Sequence, residues 1–420
     1  MRAVWRCASR LASLAVMVLL AGCAPFGPVA SGTPSPSPAQ ATATMAAALQ
    51  QGYVCANPPG SSAFVAYVDA KGQLYVAQGC APPILIPAPQ GRDLTPIAFS
   101  AQDGWLLVWN NATDSQAAGA ADCLAVVDLT KMTLTTTSTF CNAAGPSGAP
   151  SATAKFWWYS PIGWVNDNAF YLAETAASAG NAVTVAYVAL PGLAALPVTT
   201  IPWVANLARV DATDVNAGGS GVALAGGALY YGGYLSASEG GAWLHRFTLG
   251  TRADTRLVRL GLAGSGGCQA KITPCRWTGP WDVTSDGATI AYHLPGPGQS
   301  LTESDTEAGT PLMLASTTGG RPTQLFPGVD MGQGFAAPMF SSGGAFVAAM
   351  IGQRLVVQDT GSGKLTTAPS GLRLHSWTSD PNIALVLDTN APGDQRMALY
   401  NAASGHVTLL QSGARDFVWG

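Results

Sequence analysis

Charged side chains are scarce in this chain. Only 10% of its 420 residues are Asp, Glu, Lys or Arg, and the net charge is −3 without any basic run. This composition argues against the extended basic surface that nucleic-acid binding requires, so we expect no nucleic-acid partner. Glutamate occurs only at positions 174, 239, 303 and 307. No glycosidase-type pair of carboxylates can therefore be picked out locally, although aspartates from distant segments remain an open alternative.

Local motifs of catalysis and cofactor binding are also lacking. No Gly-x-Ser-x-Gly nucleophile motif is present, and the nearest segment, Gly145–Ala149, lacks the final glycine. Gly361–Lys364 lacks the first glycine and the Ser or Thr of a phosphate-binding loop. Asp214–Gly218 has part of a calcium-loop spacing, but Ala225 stands where the closing glutamate belongs. The sequence therefore predicts no catalytic residue, no cofactor and no metal ligand.

Long apolar runs are absent after residue 50, and the run before it is short. Arg2 and Arg6 precede Leu11–Leu20, whose length suits a secretion signal rather than a transmembrane helix. The run ends in Leu20-Ala-Gly-Cys23, which resembles the bacterial lipoprotein box. The resemblance implies cleavage before Cys23 and attachment of lipid to its thiol, which would hold an extracytoplasmic protein on the bacterial membrane. An ordinary signal peptide with an incidental cysteine is the alternative.

The chain divides into three parts. Residues 1–22 are the predicted lipoprotein signal peptide. Residues 23–52 are rich in Pro, Ser, Thr and Ala and have no charged side chain, so they bury too little apolar surface to fold and form an extended tether. Residues 53–420 form the folded domain, which we expect to be a monomer.

The folded domain is rich in β-hairpin patterns. In Trp281–Tyr292, Trp281 and Val283 alternate with polar residues, Asp286-Gly287 forms a two-residue turn, and an apolar strand returns. Six such inner hairpins occur: Pro96–Trp109, Ile162–Leu172, Gly221–Tyr231, Trp281–Tyr292, Pro338–Ala348 and His375–Val386. Seven outer hairpins alternate with them and begin at Leu74, Leu124, Val185, Leu244, Leu312, Leu355 and Ala398. This alternation is typical of four-stranded propeller blades.

The unequal numbers of hairpins predict how the ring closes. The C-terminal segment Ala414–Gly420 matches the first strand of an inner hairpin and then stops, whereas Ala63–Val68 matches a second strand without a first. Pairing the two segments completes a seventh blade and leaves no open sheet edge. The sequence therefore predicts an all-β, seven-bladed β-propeller, closed by pairing of the C-terminal strand with the first blade.

The repeated phrase resembles that of a known group of proteins. Thr284-Ser-Asp-Gly287 and Ser100-Ala-Gln-Asp-Gly104 are similar to the Trp/Phe-Ser-Pro-Asp-Gly repeat of the bacterial TolB-like, WD-like β-propellers. Other blades depart from the repeat, with Gly343-Gly344 or Asp380-Pro381 in the turn. The resemblance implies a propeller lipoprotein of the cell envelope. Members of the group differ in their partners, so it implies no catalytic residue.

Six cysteines remain in the folded domain, and an even number in an exported chain favours disulfides over free thiols. We predict sequential pairing, because two pairs are local: one flanks a predicted hairpin and one shares a loop. No two of these cysteines have the two-residue separation of zinc sites. The predicted pairs are Cys123 with Cys141, Cys268 with Cys275 and, by exclusion, Cys55 with Cys80.

Aromatic residues supply the candidate binding surface. Trp157, Trp158 and Tyr159 are consecutive, and flat aromatic faces can stack on sugars or hold an apolar anchor of a partner, although packing between blades is the simpler role for many of them. Two functions stay open. The first is a lipid-anchored module that binds a protein or glycan of the envelope. The second is an extracytoplasmic propeller enzyme of glycosidase or lyase type, with an acidic site at the channel mouth.

Overall fold

The computed structural model of the chain is built from β-strands. It describes residues 64–69, 71–78, 81–100, 102–114, 121–143, 156–176, 182–201, 222–232, 241–262, 281–293, 311–329, 338–378, 380–388, 396–409 and 415–419. Within these ranges, 28 strands form seven four-stranded antiparallel sheets, which we number as blades 1 to 7. The predicted signal peptide and tether lie outside the described residues.

Blades 2 to 4 are each built from four consecutive strands. Blade 2 contains β4 (Arg92–Phe99), β5 (Trp105–Ala112), β6 (Ala121–Asp128) and β7 (Thr133–Ala143). Blade 3 contains β8 (Phe156–Asn166), β9 (Ala169–Ala176), β10 (Val183–Ala189) and β11 (Ala194–Ile201). Blade 4 contains β12 (Val222–Ala225), β13 (Ala228–Gly232), β14 (Gly241–Thr248) and β15 (Ala253–Leu262).

Blades 5 to 7 repeat the arrangement. Blade 5 contains β16 (Trp281–Val283), β17 (Thr289–His293), β18 (Leu312–Ser316) and β19 (Thr323–Gln324). Blade 6 contains β20 (Met339–Phe340), a 3₁₀ turn (Ser342–Gly344), β21 (Phe346–Ile351), β22 (Arg354–Asp359) and β23 (Leu365–Thr367). Blade 7 contains β24 (Leu372–Trp377), β25 (Ile383–Asp388), β26 (Arg396–Asn401) and β27 (Val407–Leu409).

Blade 1 is shared between the two ends of the domain. It combines the last strand, β28 (Arg415–Trp419), with β1 (Phe64–Val68), β2 (Leu74–Gln78) and β3 (Ile84–Ile86) in the order β28-β1-β2-β3. In the antiparallel register Tyr67 lies opposite Phe417, and Ala66 lies opposite Val418. The predicted ring closure and the predicted number of blades are therefore confirmed.

The hydrophobic core is divided among the interfaces between blades. Strand residues alternate between the two faces of a sheet, so each blade packs on both of its neighbours, and the described residues form seven apolar clusters, one for each neighbouring pair. At the closure, Tyr67 and Phe417 pack against Leu385 and Leu399 of blade 7. Strands β28 and β4, β8 and β12, and β16 and β20 contact each other across blades. The first strand of each blade is therefore the innermost one.

Candidate functional site

The two ends of the propeller differ in their connections. Short turns join the first strand to the second and the third to the fourth, as in Asp167-Asn168 and Gly226-Gly227, and we call this end the turn end. The other connections emerge from the opposite end, which we call the loop end. The longest of them span residues 144–155, 202–221, 263–280, 294–311 and 325–338, most of which lie outside the described residues.

At the turn end, the inner turns of blades 2 and 3 are joined by one carboxylate. Asp167 of blade 3 accepts hydrogen bonds from the Ser100 hydroxyl and from the Gly104 backbone N–H, 3.2 Å away. The Gln102 N–H lies 3.3 Å from the same oxygen. Burial, with a contribution from the nearby charge of Asp167, raises the pKa of Asp103 in this turn. The Asp167 carboxylate is therefore occupied in holding two blades together.

The inner turns of blades 4 and 5 interlock in a different way. The Gly226 N–H donates to the Ser285 carbonyl at 3.0 Å. The buried Tyr230 hydroxyl donates to the Gly287 carbonyl at 3.0 Å, and the Thr317 hydroxyl donates to the same oxygen at 2.8 Å. The backbone of one turn thus forms a hydrogen bond with the backbone of the next. The inner turns of blades 2 to 5 are therefore structural contacts between blades.

Asp282 lies on β16, the innermost strand of blade 5, and its pKa differs strongly from the ordinary value. Burial of its carboxyl raises the pKa of Asp282 to about 7, against the opposing effect of hydrogen bonds from the Phe340 and Val283 N–H groups. The Phe340 N–H, on the innermost strand of blade 6, lies 2.7 Å from the carboxylate. Although the residue keeps some accessible surface, its carboxylate lies inside the contact between blades 5 and 6. This geometry fits a link between blades.

A second titratable group lies on the same side of blade 5. Asp282 is opposite Ala291, and His293 is two residues further along β17, so both side chains face blade 6. Burial lowers the pKa of His293 to about 4, which keeps the imidazole neutral at physiological pH. Among the described residues, no group of three or more His, Cys, Asp or Glu side chains could hold a metal ion.

Of the predicted aromatic surface, the structure describes the side chain of Tyr159. Trp157 and Trp158 belong to β8, but their side chains lie outside the described part of the chain. Tyr159 packs edge-on against Phe140 of blade 2, with ring centroids 5.6 Å apart, and burial raises its pKa. The Asn142 side chain accepts from the Tyr159 N–H at 2.7 Å and donates to its carbonyl. Tyr159 therefore packs between blades, and a binding role for the two tryptophans stays a prediction.

Of the predicted disulfides and the lipid-bearing cysteine, the described residues include one disulfide pair. Cys123 and Cys141 lie opposite each other in β6 and β7 and form a disulfide with an S–S distance of 2.07 Å. The remaining cysteines of the scheme and the partial calcium-loop spacing fall on residues outside the described ranges. These are Cys23, Cys55, Cys80, Cys268, Cys275 and residues 214–218.

A polar and aromatic cluster on blade 4 was not predicted. Tyr231 and His245 are opposite each other in β13 and β14, and their rings stack at 5.0 Å. Asp254 of β15 accepts a hydrogen bond from the Tyr231 hydroxyl at 2.8 Å and lies 3.1 Å from Nδ1 of His245. If Nδ1 of His245 carries the proton, the carboxylate satisfies both groups. In the sequence this segment is an ordinary outer hairpin.

Two arginines lie on the same face of blade 4, closer to the loop end than Asp254. The Arg259 guanidinium lies over the ring of Trp243, 4.9 Å from its centroid. Arg256 lies opposite His245 in the antiparallel register. Both arginines are exposed, and Trp243 and His245 are partly buried. We call Trp243, His245, Arg256 and Arg259 the arginine face. It lies on the side of blade 4 that faces blade 3.

Two further results concern membrane spans and related sequences. In the described part of the protein, no helix is long and apolar enough to cross a membrane. No family model and no curated protein matches the sequence.

Several solved structures are similar to this one at low identity. TolB from Acinetobacter baumannii is 13% identical with a TM-score of 0.40, over 86% of this chain and 67% of that one. An oligogalacturonate lyase in complex with manganese is 12% identical with a TM-score of 0.45, over 83% and 84%. The periplasmic gluconolactonase PpgL from Pseudomonas aeruginosa is 14% identical with a TM-score of 0.42, over 85% and 98%. Likenesses of this size carry no information on activity or ligand.

Proposed function

We propose that this protein is a lipid-anchored, extracytoplasmic β-propeller that binds a protein or glycan of the bacterial cell envelope through its loop end. The observation that carries the proposal is the difference between the two ends. The inner turns of blades 2 to 5 at one end are occupied in contacts between blades, whereas the long connections emerge from the other end. Binding residues are commonly found on such loops, which a rigid scaffold positions.

The direction of the first strand supports this orientation. The first strand of a blade runs from the loop end to the turn end, so the second strand begins at the turn end. Because β1 is the second strand of blade 1, Phe64 lies at the turn end. A tether that starts at Cys23 therefore reaches the propeller from the turn end, and the loop end is directed away from the point of attachment.

Site-specific photo-crosslinking in intact cells tests the proposal. Gln353 lies in the loop-end turn of blade 6, and Ser362 lies in a turn-end turn of the same blade, and both are exposed. A photoreactive residue at Gln353 is expected to give a discrete adduct. The same residue at Ser362 is the matched control and is expected to give none. Equal labelling from both positions, or adducts only from Ser362, would contradict binding through the loop end.

A further inference from the structure

We propose that the arginine face of blade 4 binds an anionic sugar polymer. Guanidinium groups would hold its carboxylate or phosphate groups, and the aromatic planes beside them would pack on its sugar rings. This inference deepens the proposed function by naming the ligand class, and it rests on that function only for exposure of the chain to envelope polymers.

Positive charge is concentrated on the outer hairpin of blade 4. The hairpin of β14 and β15 carries four arginines and one acidic residue, within a chain whose net charge is −3. The acidic residue, Asp254, already accepts hydrogen bonds from Tyr231 and lies within hydrogen-bonding distance of His245. The arginines are Arg246, Arg252, Arg256 and Arg259. Arg246 is opposite Tyr230 and therefore lies on the face toward blade 5, whereas Arg256 and Arg259 lie on the arginine face. That face is a local basic surface on a protein with a negative net charge.

A β-bulge in β15 brings two arginines to one face of the sheet. Residues three apart in a regular strand point to opposite faces. In β15, however, Arg256 is opposite His245 and Arg259 is opposite Trp243, so three steps in one strand match two in the other. The extra residue is Leu257, which packs with the cluster between blades 4 and 5. Bulges often re-aim side chains beside functional sites, and here the bulge places both guanidinium groups on the arginine face.

Blade 3, which faces the arginine face, has few acidic residues in its strands. The outer strands of blade 3, β10 and β11, contain no acidic residue. Glu174 of β9 interacts electrostatically with Tyr159, which packs toward blade 2, so it lies on the other face of the sheet. In the described residues, the strands of blade 3 therefore bring no carboxylate to the arginine face. Among the described strands of blades 3 and 4, the carboxylate on this face is that of Asp254, which accepts from the Tyr231 hydroxyl and lies beside His245. With Arg256 and Arg259 beside it, the face keeps a net positive charge for an anionic ligand.

The irregular edge of β15 favours a sugar polymer over an acidic peptide as the ligand. A peptide would most readily add to the free edge of β15 as a further strand, which needs a regular ladder. The register of β15 is interrupted twice, at Leu257 and at Leu260, and bulges are a common protection of edge strands against such pairing. The arginine face instead offers charges beside flat rings, which suits anionic groups carried on a ring.

Binding of alginate to the purified protein in detergent tests the inference. Wild type is expected to bind alginate, a carboxylated polysaccharide, and not neutral dextran, with affinity that falls when the salt concentration is raised to about 0.5 M. Arg259→Gln is expected to weaken binding by about tenfold or more, because it removes a charge-assisted contact. Arg259→Lys keeps the charge but loses the planar guanidinium, so its loss is expected to be intermediate. Unchanged melting temperatures would show that the variants fold.

The matched control is Arg321→Gln, which removes an exposed arginine from the β18–β19 turn at the turn end of blade 5. It is expected to bind alginate like wild type. Equal affinities of wild type and Arg259→Gln, or no binding of alginate at all, would overturn the inference. Equally tight binding of poly-L-glutamate would also overturn it and would indicate an acidic protein segment as the ligand. None of these results depends on the lipid anchor or on the crosslinking experiment.

Discussion

At the scale of the residue, Gly104 shows how closely blades 2 and 3 approach each other. A Cβ atom at this position would lie 2.3 Å from Oδ2 of Asp167. We predict that Gly104→Ala displaces the carboxylate and weakens its hydrogen bonds, which lowers the free energy of unfolding by about 1–3 kcal/mol. Urea unfolding measures the change.

Gly250→Ala is the control for this substitution. Gly250 lies in the β14–β15 turn, and a Cβ atom there would meet nothing within 4 Å. Its effect is expected to stay within about 0.5 kcal/mol. Equal effects of the two substitutions would show that the Asp167 contact contributes no stability.

Asp282 predicts a dependence of stability on pH. Its pKa rises from an ordinary value of 3.8 to about 7 on folding, so the folded state binds the proton more tightly than the unfolded state. The resulting stabilisation is full below about pH 4 and is lost as the pH rises through about 7. Since one pKa unit corresponds to about 1.4 kcal/mol, we expect the stability of wild type, relative to Asp282→Asn, to fall by up to about 4 kcal/mol between these pH values. Unfolding curves at several pH values measure it.

Asp359 provides a control with the opposite sign. Hydrogen bonds from Ser362, together with one from the Gly361 N–H and the nearby charge of Lys364, lower the pKa of Asp359 below its ordinary value. The stability that it contributes is present above about pH 4 and is lost on further acidification. Asp359→Asn should therefore show no pH-dependent difference from wild type between about pH 4 and pH 7. If the difference in stability between wild type and Asp282→Asn is also independent of pH in this range, the dependence does not come from Asp282.

At the scale of the element, the β6–β7 hairpin is joined by the disulfide between Cys123 and Cys141, 18 residues apart in sequence. Replacing both residues by alanine is expected to lower the free energy of unfolding by about 2–4 kcal/mol, because the unfolded chain regains the freedom of a closed loop. Chemical denaturation of the double variant measures this loss.

Peptide mapping without reducing agent checks the whole disulfide scheme. It should recover the Cys123–Cys141 pair that the structure contains, together with the predicted pairs Cys55–Cys80 and Cys268–Cys275. Free thiols at these four other positions, or pairs between different loops, would contradict the predicted sequential connectivity.

Local sequence patterns predicted the strands and their order, because hairpin turns and strand alternation are short-range signals. Asp286-Gly287 and the repeated apolar strands are examples, and the unpaired segments at the two ends of the domain predicted blade 1. Contacts between blades carry no such signal. Asp167 and Gly104 are 63 residues apart in sequence, and nothing in either local pattern relates them. The same holds for Asp282 and the Phe340 N–H.

The candidate site was predicted less well for a physical reason. An aromatic run such as Trp157-Trp158-Tyr159 is visible in the sequence, but Tyr159 packs between blades. The arginine face is not visible, because Arg256 and Arg259 would point to opposite faces of a regular strand. Only the bulge at Leu257 brings them together, and bulges arise from pairing with a neighbouring strand.

At the scale of the whole molecule, the proposed attachment to the membrane depends on Cys23. Each buried methylene of a lipid contributes about 0.8 kcal/mol, so a diacyl group should hold the protein firmly. Cys23→Ser is predicted to move the protein from the detergent phase to the soluble or secreted fraction. Cys7→Ser is the control, because Cys7 precedes the apolar run, and it should leave partition unchanged. Detergent partition of the Cys23→Ser variant like that of wild type would contradict the lipid anchor.

Ring closure is the central claim, since the blade count, the positions of both termini and the orientation of the loop end depend on it. Phe417 is buried and packs against Tyr67 with ring centroids 5.7 Å apart. Burying a large apolar side chain contributes about 1.5–3 kcal/mol, and a domain has only about 5–15 kcal/mol of stability in total. Loss of β28 would also expose the edge of β1.

Thermal unfolding of a variant that lacks residues 415–420 tests this claim most directly. A variant that lacks the tether, residues 24–52, is the control, because it loses more residues but no predicted contact. If the C-terminal strand closes the ring, deletion of residues 415–420 lowers the melting temperature strongly or causes aggregation, and deletion of the tether changes neither. A melting temperature that stays at the wild-type value after deletion of residues 415–420 would contradict the closed propeller.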